Sequence, residues 1–335
     1  MKQTHRSGIL LLAILVAFIL LLPSCAAPDE TASGSKDRTA IRIGALKGPT
    51  GMGLVGLMDE QDKQKTANDY TFVLTGTPDD IVAKISSSQV DIAALPTNLA
   101  AVLYQKTNHA VQILAINTLG VLYILEKGDT IHELADLGGR ELSATGQGAV
   151  PEYVLNDLLA HGGLSESAKV VYLAEHSELA TLAAAGKADL AMLPEPFVTT
   201  VLGKNPDMRI ALDLTAEWKK IHPEANGGEL AMGCLVVRAS FALEHPDAIR
   251  TFLDEYQAST DFVNSNPASA GQLVAKYEIM ADARLAEKAI PNCHIVNIHG
   301  ADMQPVLQPF LEILLAAKPA SVGGQVPDAS FYLIP

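Results

Sequence analysis

Residues 189–196 read Asp189-Leu190-Ala191-Met192-Leu193-Pro194-Glu195-Pro196, and residues 91–98 read Asp91-Ile92-Ala93-Ala94-Leu95-Pro96-Thr97-Asn98. The first six positions of the two stretches match closely. In each, an acid opens an apolar run that is long enough for a buried parallel strand and too short for a helix. Pro96 and Pro194 then end the run: proline cannot donate to a sheet ladder but suits the first turn of a following helix. A helical spacing precedes each copy, through Ile81, Ile85 and Val90 in one case and Leu179, Leu182, Ala183 and Lys187 in the other. Helix, buried strand, proline turn and helix are thus written at 79–106 and again at 177–202. This duplication predicts an α/β chain of two Rossmann-like lobes. In open α/β sheets ligands sit beyond the carboxyl ends of the strands. That places Pro96-Thr97-Asn98 and Glu195-Pro196 on two walls of one cleft.

The amino-terminal residues have the profile of an export signal. Lys2 and Arg6 precede an unbroken apolar run from Ile9 to Leu22, which is shorter than the roughly 20 residues of a membrane span. It ends in Leu22-Pro23-Ser24-Cys25, similar to the lipobox of bacterial lipoproteins, with Cys25 as the acylated residue. Residues 1–24 are therefore expected to be a signal peptide and 25–39, small and polar, a lipidated flexible tether. Loss of Lys2 and Arg6 takes the net charge from −14 to −16. An acidic exported chain without basic blocks does not suit nucleic acid, whose binding needs clustered Lys and Arg. About 295 residues of ordinary hydrophobicity remain, enough for two lobes with real cores. Cys234 and Cys293 lie in apolar runs, where two buried thiols and a disulfide are both open.

The rest of the chain follows the duplicated pattern. Ile41–Leu46 reads as a first strand, followed by the glycine-rich turn Lys47-Gly48-Pro49-Thr50-Gly51-Met52-Gly53, whose backbone N–H groups can approach a ligand. Gly51-Met52-Gly53-Leu54-Val55-Gly56 matches G-x-G-x-x-G formally. However, four residues separate it from the strand, and the next strand ends in Thr75-Gly76 with no acid, so it is not read as a dinucleotide site. Strands are expected at 111–117 and 121–126, too close for a helix between them, so 121–126 is read as leaving the first lobe. A second glycine-rich turn, Thr145-Gly146-Gln147-Gly148-Ala149-Val150-Pro151, mirrors the first. The run 229–238 crosses back, and helices at 246–264, 267–277, 282–289 and 301–317 are expected to pack on the first lobe. The divisions expected are 40–125 (lobe 1), 126–230 (lobe 2) and 231–335 (lobe 1 again).

Taken together, Ile41 to Gly53, Gly76 to Thr97, Gly146 to Tyr153 and Lys187 to Phe197 resemble the type II periplasmic solute-binding proteins. More narrowly, they resemble the ABC-transporter substrate-binding proteins of the sulfonate, nitrate, taurine and thiamine-pyrimidine group. The resemblance implies a monomeric, lipid-tethered receptor on the extracytoplasmic face of the cell membrane. Such a receptor closes on a small molecule and delivers it to an ABC permease with its ATPase, using no cofactor. It implies ligand contacts at Gly48, Pro49, Thr50, Gly51, Met52, Thr75, Pro96, Thr97, Asn98 and Asn117 from the first lobe. From the second it implies Gly146, Gln147, Gly148, Ala149 and Glu195, the acid before the second proline. With Glu195 as the obvious charge, a pyrimidine-type heterocycle is favoured and a small sulfonate stays open.

Two rival classes carry less. A few enzymes, including ones of menaquinone synthesis, share this fold, but the chain has no G-x-S-x-G, and Gly186-Lys187-Ala188 lacks the other residues of a phosphate loop. His294, His299 and Asp302 are the nearest approach to a metal trio in the sequence, yet they read as a strand edge and a helix start, so no metal is expected. A ligand-sensing surface module would reuse the same fold.

Overall fold

The computed structural model describes residues 38–223 and 229–335. The signal peptide, Cys25 and the tether expected from the sequence, save its residues 38 and 39, lie outside those residues. Residues 39–335 form one compact unit.

The first half of the unit runs β1 (Ala40–Leu46), α1 (Pro49–Met52), α2 (Val55–Asp62), β2 (Asp69–Thr75), α3 (Pro78–Ser86), β3 (Ile92–Pro96), α4 (Thr97–Lys106) and β4 (Val111–Thr118). After a short crossing come β5 (Leu122–Lys127), β6 (Glu141–Thr145), α5 (Val150–His161), β7 (Lys169–Leu173), α6 (His176–Ala184), β8 (Leu190–Pro194), α7 (Phe197–Lys204), β9 (Met208–Asp213) and α8 (Leu214–Ile221). The chain returns as β10 (Gly233–Arg238), α9 (Ala239–Glu244), α10 (Pro246–Ser265), α11 (Pro267–Lys276) and α12 (Ala283–Ala289). It closes with β11 (Ile295–His299) and α13 (Met303–Ala317).

The duplication read from the sequence is a duplication of sheets. One sheet has the order β11-β4-β10-β3-β1-β2, the other β7-β6-β8-β5-β9. In the first, β1 pairs in parallel with β2 and β3, and β10 is inserted antiparallel between β3 and β4. In the second, β6 pairs in parallel with β7 and β8, and β5 is inserted antiparallel between β8 and β9. Each sheet thus takes in, antiparallel, the strand that has just crossed over, and in the first sheet β11 adds a further antiparallel strand at the β4 edge. The two copies of the repeated stretch are β3 and β8, which are buried almost throughout, as a run covered on both faces must be.

One boundary moves. Leu122 to Glu126 pair with Pro194 to Leu190 of β8, so β5 belongs wholly to the second sheet. The division expected after residue 125 falls inside that strand, and the chain changes sheet at residues 119–121. Gly120 occupies the crossing because a Cβ there would lie 2.2 Å from Thr215 Oγ1 at the start of α8, closer than any side chain allows.

The carboxy-terminal helices divide their packing. Phe252 and Tyr256 of α10 and Ala286 and Ala289 of α12 join Ile41, Ile43 and Leu235 in a core on one face of the first sheet, as expected. Helix α13 does more. Its Phe310 ring meets Trp218 of α8 edge-on at 5.6 Å, and Leu307, Phe310 and Leu314 share a core with Leu155 and Leu158 of α5 as well as with Ala101 and Tyr104 of α4. Helix α13 therefore bridges the two lobes, because its apolar stripe is wide enough to serve both.

Candidate functional site

The carboxyl ends of β1, β3, β6 and β8 face one another across the lobes, and helices start there. Thr97 opens α4, Pro49 opens α1, Pro78 opens α3 after the Thr77 cap, Pro151 is the second residue of α5, and His176 opens α6. Prolines recur because a helix start has no use for their missing N–H. They enclose a cavity of about 80 Å³ lined by Leu46, Lys47, Gly48, Pro49, Thr50, Gly76, Pro78, Pro96, Thr118, Val121, Pro151, His176, Pro194 and Met232. Five prolines make its walls stiff and mostly apolar, and among the described residues Lys47 is its single charged side chain. Val121 and Met232 come from the two crossings.

Of the residues expected from the sequence, Gly48, Pro49, Thr50 and Pro96 line this cavity. Thr50 is notable because its Oγ1 is buried with no hydrogen-bond partner among the described residues, a cost of about 1–3 kcal/mol if left unmet. Its carbonyl accepts from Asn117 Nδ2 at 3.3 Å. Gly233 abuts the same pair: a Cβ there would stand 2.6 Å from Thr50 Cγ2 and 2.7 Å from Asn117 Oδ1. Gly51 and Met52 lie behind Thr50, their amides turned onto the Gly48 carbonyl. Thr75 Oγ1 donates to the Thr77 carbonyl at 3.2 Å, beside Gly76.

Other expected residues are engaged in holding the lobes. Thr97 Oγ1 donates to the Ala231 carbonyl at 2.5 Å, and the Thr97 amide donates to Met232, which ties α4 to the return crossing. Asn98, fully buried, donates from Nδ2 to the carbonyl of Gly148 at 3.2 Å and to that of Ser321 at 3.3 Å. The first of these bonds spans the lobes and joins the start of α4 to the second glycine-rich turn. Gly146 accepts the Ala149 amide within its own turn, Gly148 donates to Glu152, and Gln147 points outward, exposed.

Glu195 is 2% exposed and both of its oxygens are taken within α7. Oε2 accepts the Thr199 amide at 3.0 Å and Oε1 the Thr199 hydroxyl at 2.9 Å. Burial pushes its carboxyl above the usual range, and Thr199 and Asn292 oppose that push by hydrogen bonding. Its carboxylate thus caps a helix and reaches the first-lobe segment carrying Asn292; it is not among the residues that line the cavity.

The residue missed from the sequence is His176. It lines the cavity and shares a 2.6 Å hydrogen bond between Nδ1 and Thr145 Oγ1. Burial drops the pKa of its ring to about 4, so at neutral pH it is an uncharged imidazole with one nitrogen held and the other free to donate or accept. A histidine at the first position of a helix carries no sequence signal of its own. Only its place in the duplicated pattern, where it opens α6 as Pro78 opens α3, marks it.

Two sequence alternatives are decided. Cys234 and Cys293 are free and buried, with Cys234 Sγ 3.5 Å from the Leu95 carbonyl and Cys293 Sγ 3.8 Å from Met52 Sδ. His294, held at 2.5 Å to the Gly120 carbonyl, does not assemble with His299 and Asp302. Among the described residues no helix is long and apolar enough to cross a membrane.

Two lobes with exchanged crossing strands around a cleft define the type II periplasmic-binding fold, as solved structures confirm. The crystal structure of an ABC transporter from Parabacteroides distasonis superposes with a TM-score of 0.73 at 24% identity, covering 89% of this chain and 99% of that one. The periplasmic aliphatic sulphonate binding protein SsuA from Escherichia coli superposes with a TM-score of 0.69 at 15% identity over 88% and 92%. The alkanesulfonate-binding protein SsuA from Xanthomonas axonopodis pv. citri, bound to MOPS, gives 0.65 at 15% identity over 89% and 97%. A family model described as NMT1/THI5 like matches residues 111–270. No curated protein matches the chain. The resemblance drawn from the sequence is matched by these structures in fold.

Proposed function

We propose that this chain is an extracytoplasmic solute-binding lipoprotein, anchored through Cys25, that captures a small organic anion between its lobes and presents it to an ABC importer. The observation that carries the ligand class is the lining of the cleft. Among the described residues its single charged side chain is Lys47, several helix N-termini converge on it, and no carboxylate lines it. Helix N-termini and a lysine both favour an anion. The apolar prolines with Leu46, Val121 and Met232 suit a compact hydrocarbon body, and Thr50 Oγ1 is a donor that lacks an acceptor. A sulfonate fits that combination better than the basic amine to which an acid at Glu195 would have pointed. The fold's relatives in Escherichia coli and Xanthomonas axonopodis, described as sulphonate-binding, support the same class.

A neutral pyrimidine-type heterocycle is the second reading, favoured by the uncharged His176 beside Thr145. The cavity of about 80 Å³ is well below the roughly 300–1,000 Å³ of ordinary ligand sites. Entry of either ligand therefore requires the lobes to part about residues 119–121 and the return segment before β10, with the Asn98–Gly148 bond broken and remade.

Calorimetric titration of the purified chain with short alkanesulfonates, nitrate and pyrimidines tests both readings. Saturable sulfonate binding that Lys47→Ala and Thr50→Val each weaken is the expected result. Binding of pyrimidines alone selects the second reading, and turnover of any bound compound moves the chain among the enzymes of this fold.

A further inference from the structure

The back of the second lobe carries a cluster that solute capture does not use. Asp157 and His161 stand four residues apart on α5, hence on one face. His222 comes from the end of α8, 65 positions beyond Asp157. Its Nε2 lies 2.6 Å from Asp157 Oδ2, and His161 Nδ1 lies 3.4 Å from the same oxygen. The two imidazole rings meet edge-to-face with centroids 5.2 Å apart. One ligand atom from each of the three residues falls within 4.8 Å of the others. Among the described residues this is where three such groups gather.

From this geometry we infer a divalent metal site of the zinc type, held by Asp157, His161 and His222. Zinc bound at about 2.0–2.2 Å in a tetrahedron sets its ligand atoms about 3.4 Å apart. The separation of His161 Nδ1 from Asp157 Oδ2 already has that value; to ligate, His161 Nδ1 has to give up its 2.9 Å bond to the Asp157 carbonyl, and the His222 nitrogen has to withdraw by under about 1 Å. Two imidazoles with one carboxylate suit zinc and its transition-metal neighbours rather than calcium or magnesium, which prefer all-oxygen sets. Burial orders the donors: Asp157 is 6% exposed and His222 13%, whereas His161 at 49% lies on the solvent side. The Trp218 ring, 4.3 Å from His222, fixes that imidazole from behind. A groove of about 590 Å³, with Tyr153 and Lys318 on its walls, opens onto the cluster. It supplies an entry path and room for water as a fourth ligand.

The site has a mechanical consequence. Helix α5 begins at the Gly146–Ala149 turn of the cleft, and His222 caps the end of α8. A metal here cross-links α5, the helix behind the second cleft wall, to the end of α8, whatever ligand the cleft takes.

The test is cobalt titration of the full chain, purified without an affinity tag and stripped with chelator, followed by visible absorption and by metal analysis after dialysis. One Co²⁺ per chain, with the intense visible bands of a four-coordinate ion that Zn²⁺ then abolishes, is expected. Loss of a supporting partner typically weakens a metal site by about 10–100-fold, so removal of a ligand by His161→Ala or by Asp157→Asn should weaken it by at least about 100-fold. His161 is half exposed, so its replacement leaves folding intact, which circular dichroism checks. His299→Ala should leave the titration unchanged. Absence of saturable one-to-one binding, or a site that survives both ligand substitutions, overturns the assignment.

Discussion

Replacement of His176 by glutamine isolates one proton. In the folded chain burial places the pKa of this imidazole at about 4, and its position at the start of α6 adds the positive end of a helix dipole, which further disfavours the cation. Unfolded, the group titrates near 6.5. Between those values the unfolded state holds the proton and the folded state does not, so stability rises with pH in that window and falls as the solution is acidified through it. At pH 5 the unfolded imidazole is almost fully protonated while the folded one is still largely neutral. This costs the native state up to about 2 kcal/mol relative to pH 7. Glutamine keeps a hydrogen-bonding partner for Thr145 and removes the titration. Urea unfolding of both proteins at pH 7 and pH 5 measures the difference: the wild type should lose about 2 kcal/mol more than His176→Gln over the interval. Equal losses in the two proteins would show that His176 is not held neutral by its surroundings, and the reading of an uncharged imidazole in the cleft would fail.

Three further outcomes follow from the contacts. Asn98→Ala removes the Asn98–Gly148 bond across the cleft; at about 1 kcal/mol for such a bond the closed form should lose roughly fivefold in population, seen by X-ray scattering as a larger radius of gyration. Asp91→Asn should lower stability by about 3 kcal/mol in urea, because Asp91 is buried and accepts from Arg42 at 2.7 and 2.9 Å and from Arg238 at 2.6 Å. Cys234 and Cys293 should resist alkylation in the folded chain and both react once it unfolds, read by peptide mass, since burial pushes both thiols well up and no bond joins them.

Much of the architecture was legible because it is local. Asp91 to Pro96 and Asp189 to Pro194 declare themselves as buried strands through a short apolar run and a proline, and the helices around them through spacing. What escaped is what depends on pairing. The strand expected at 121–126 is β5 at 122–127, but nothing in Leu-Tyr-Ile-Leu-Glu-Lys says that its hydrogen bonds go to β8 and β9 rather than to β4. The bridging role of α13 needs Trp218, contributed by a helix that sequence alone did not place. Within the cleft, the glycine turn at 48–50 was legible from its composition. His176 was not, because the cavity it lines is completed by Pro78 and Pro151 from two other elements. The spacing Asp157-x-x-x-His161 is visible in the chain, but without His222 folded onto it that pair is an ordinary helix face. Glu195 shows the converse: a charge beside a cleft-forming proline invites a ligand role, and the structure spends both oxygens on Thr199.

The most direct measurement is native mass spectrometry of the chain purified without refolding, with any released small molecule identified by its own mass. One small organic anion per chain, recovered chemically intact and displaced by added alkanesulfonate, is the expected result. A chain that carries nothing and takes up none of the sulfonates, nitrate or pyrimidines offered, or one that returns the compound altered, would contradict solute capture in the cleft.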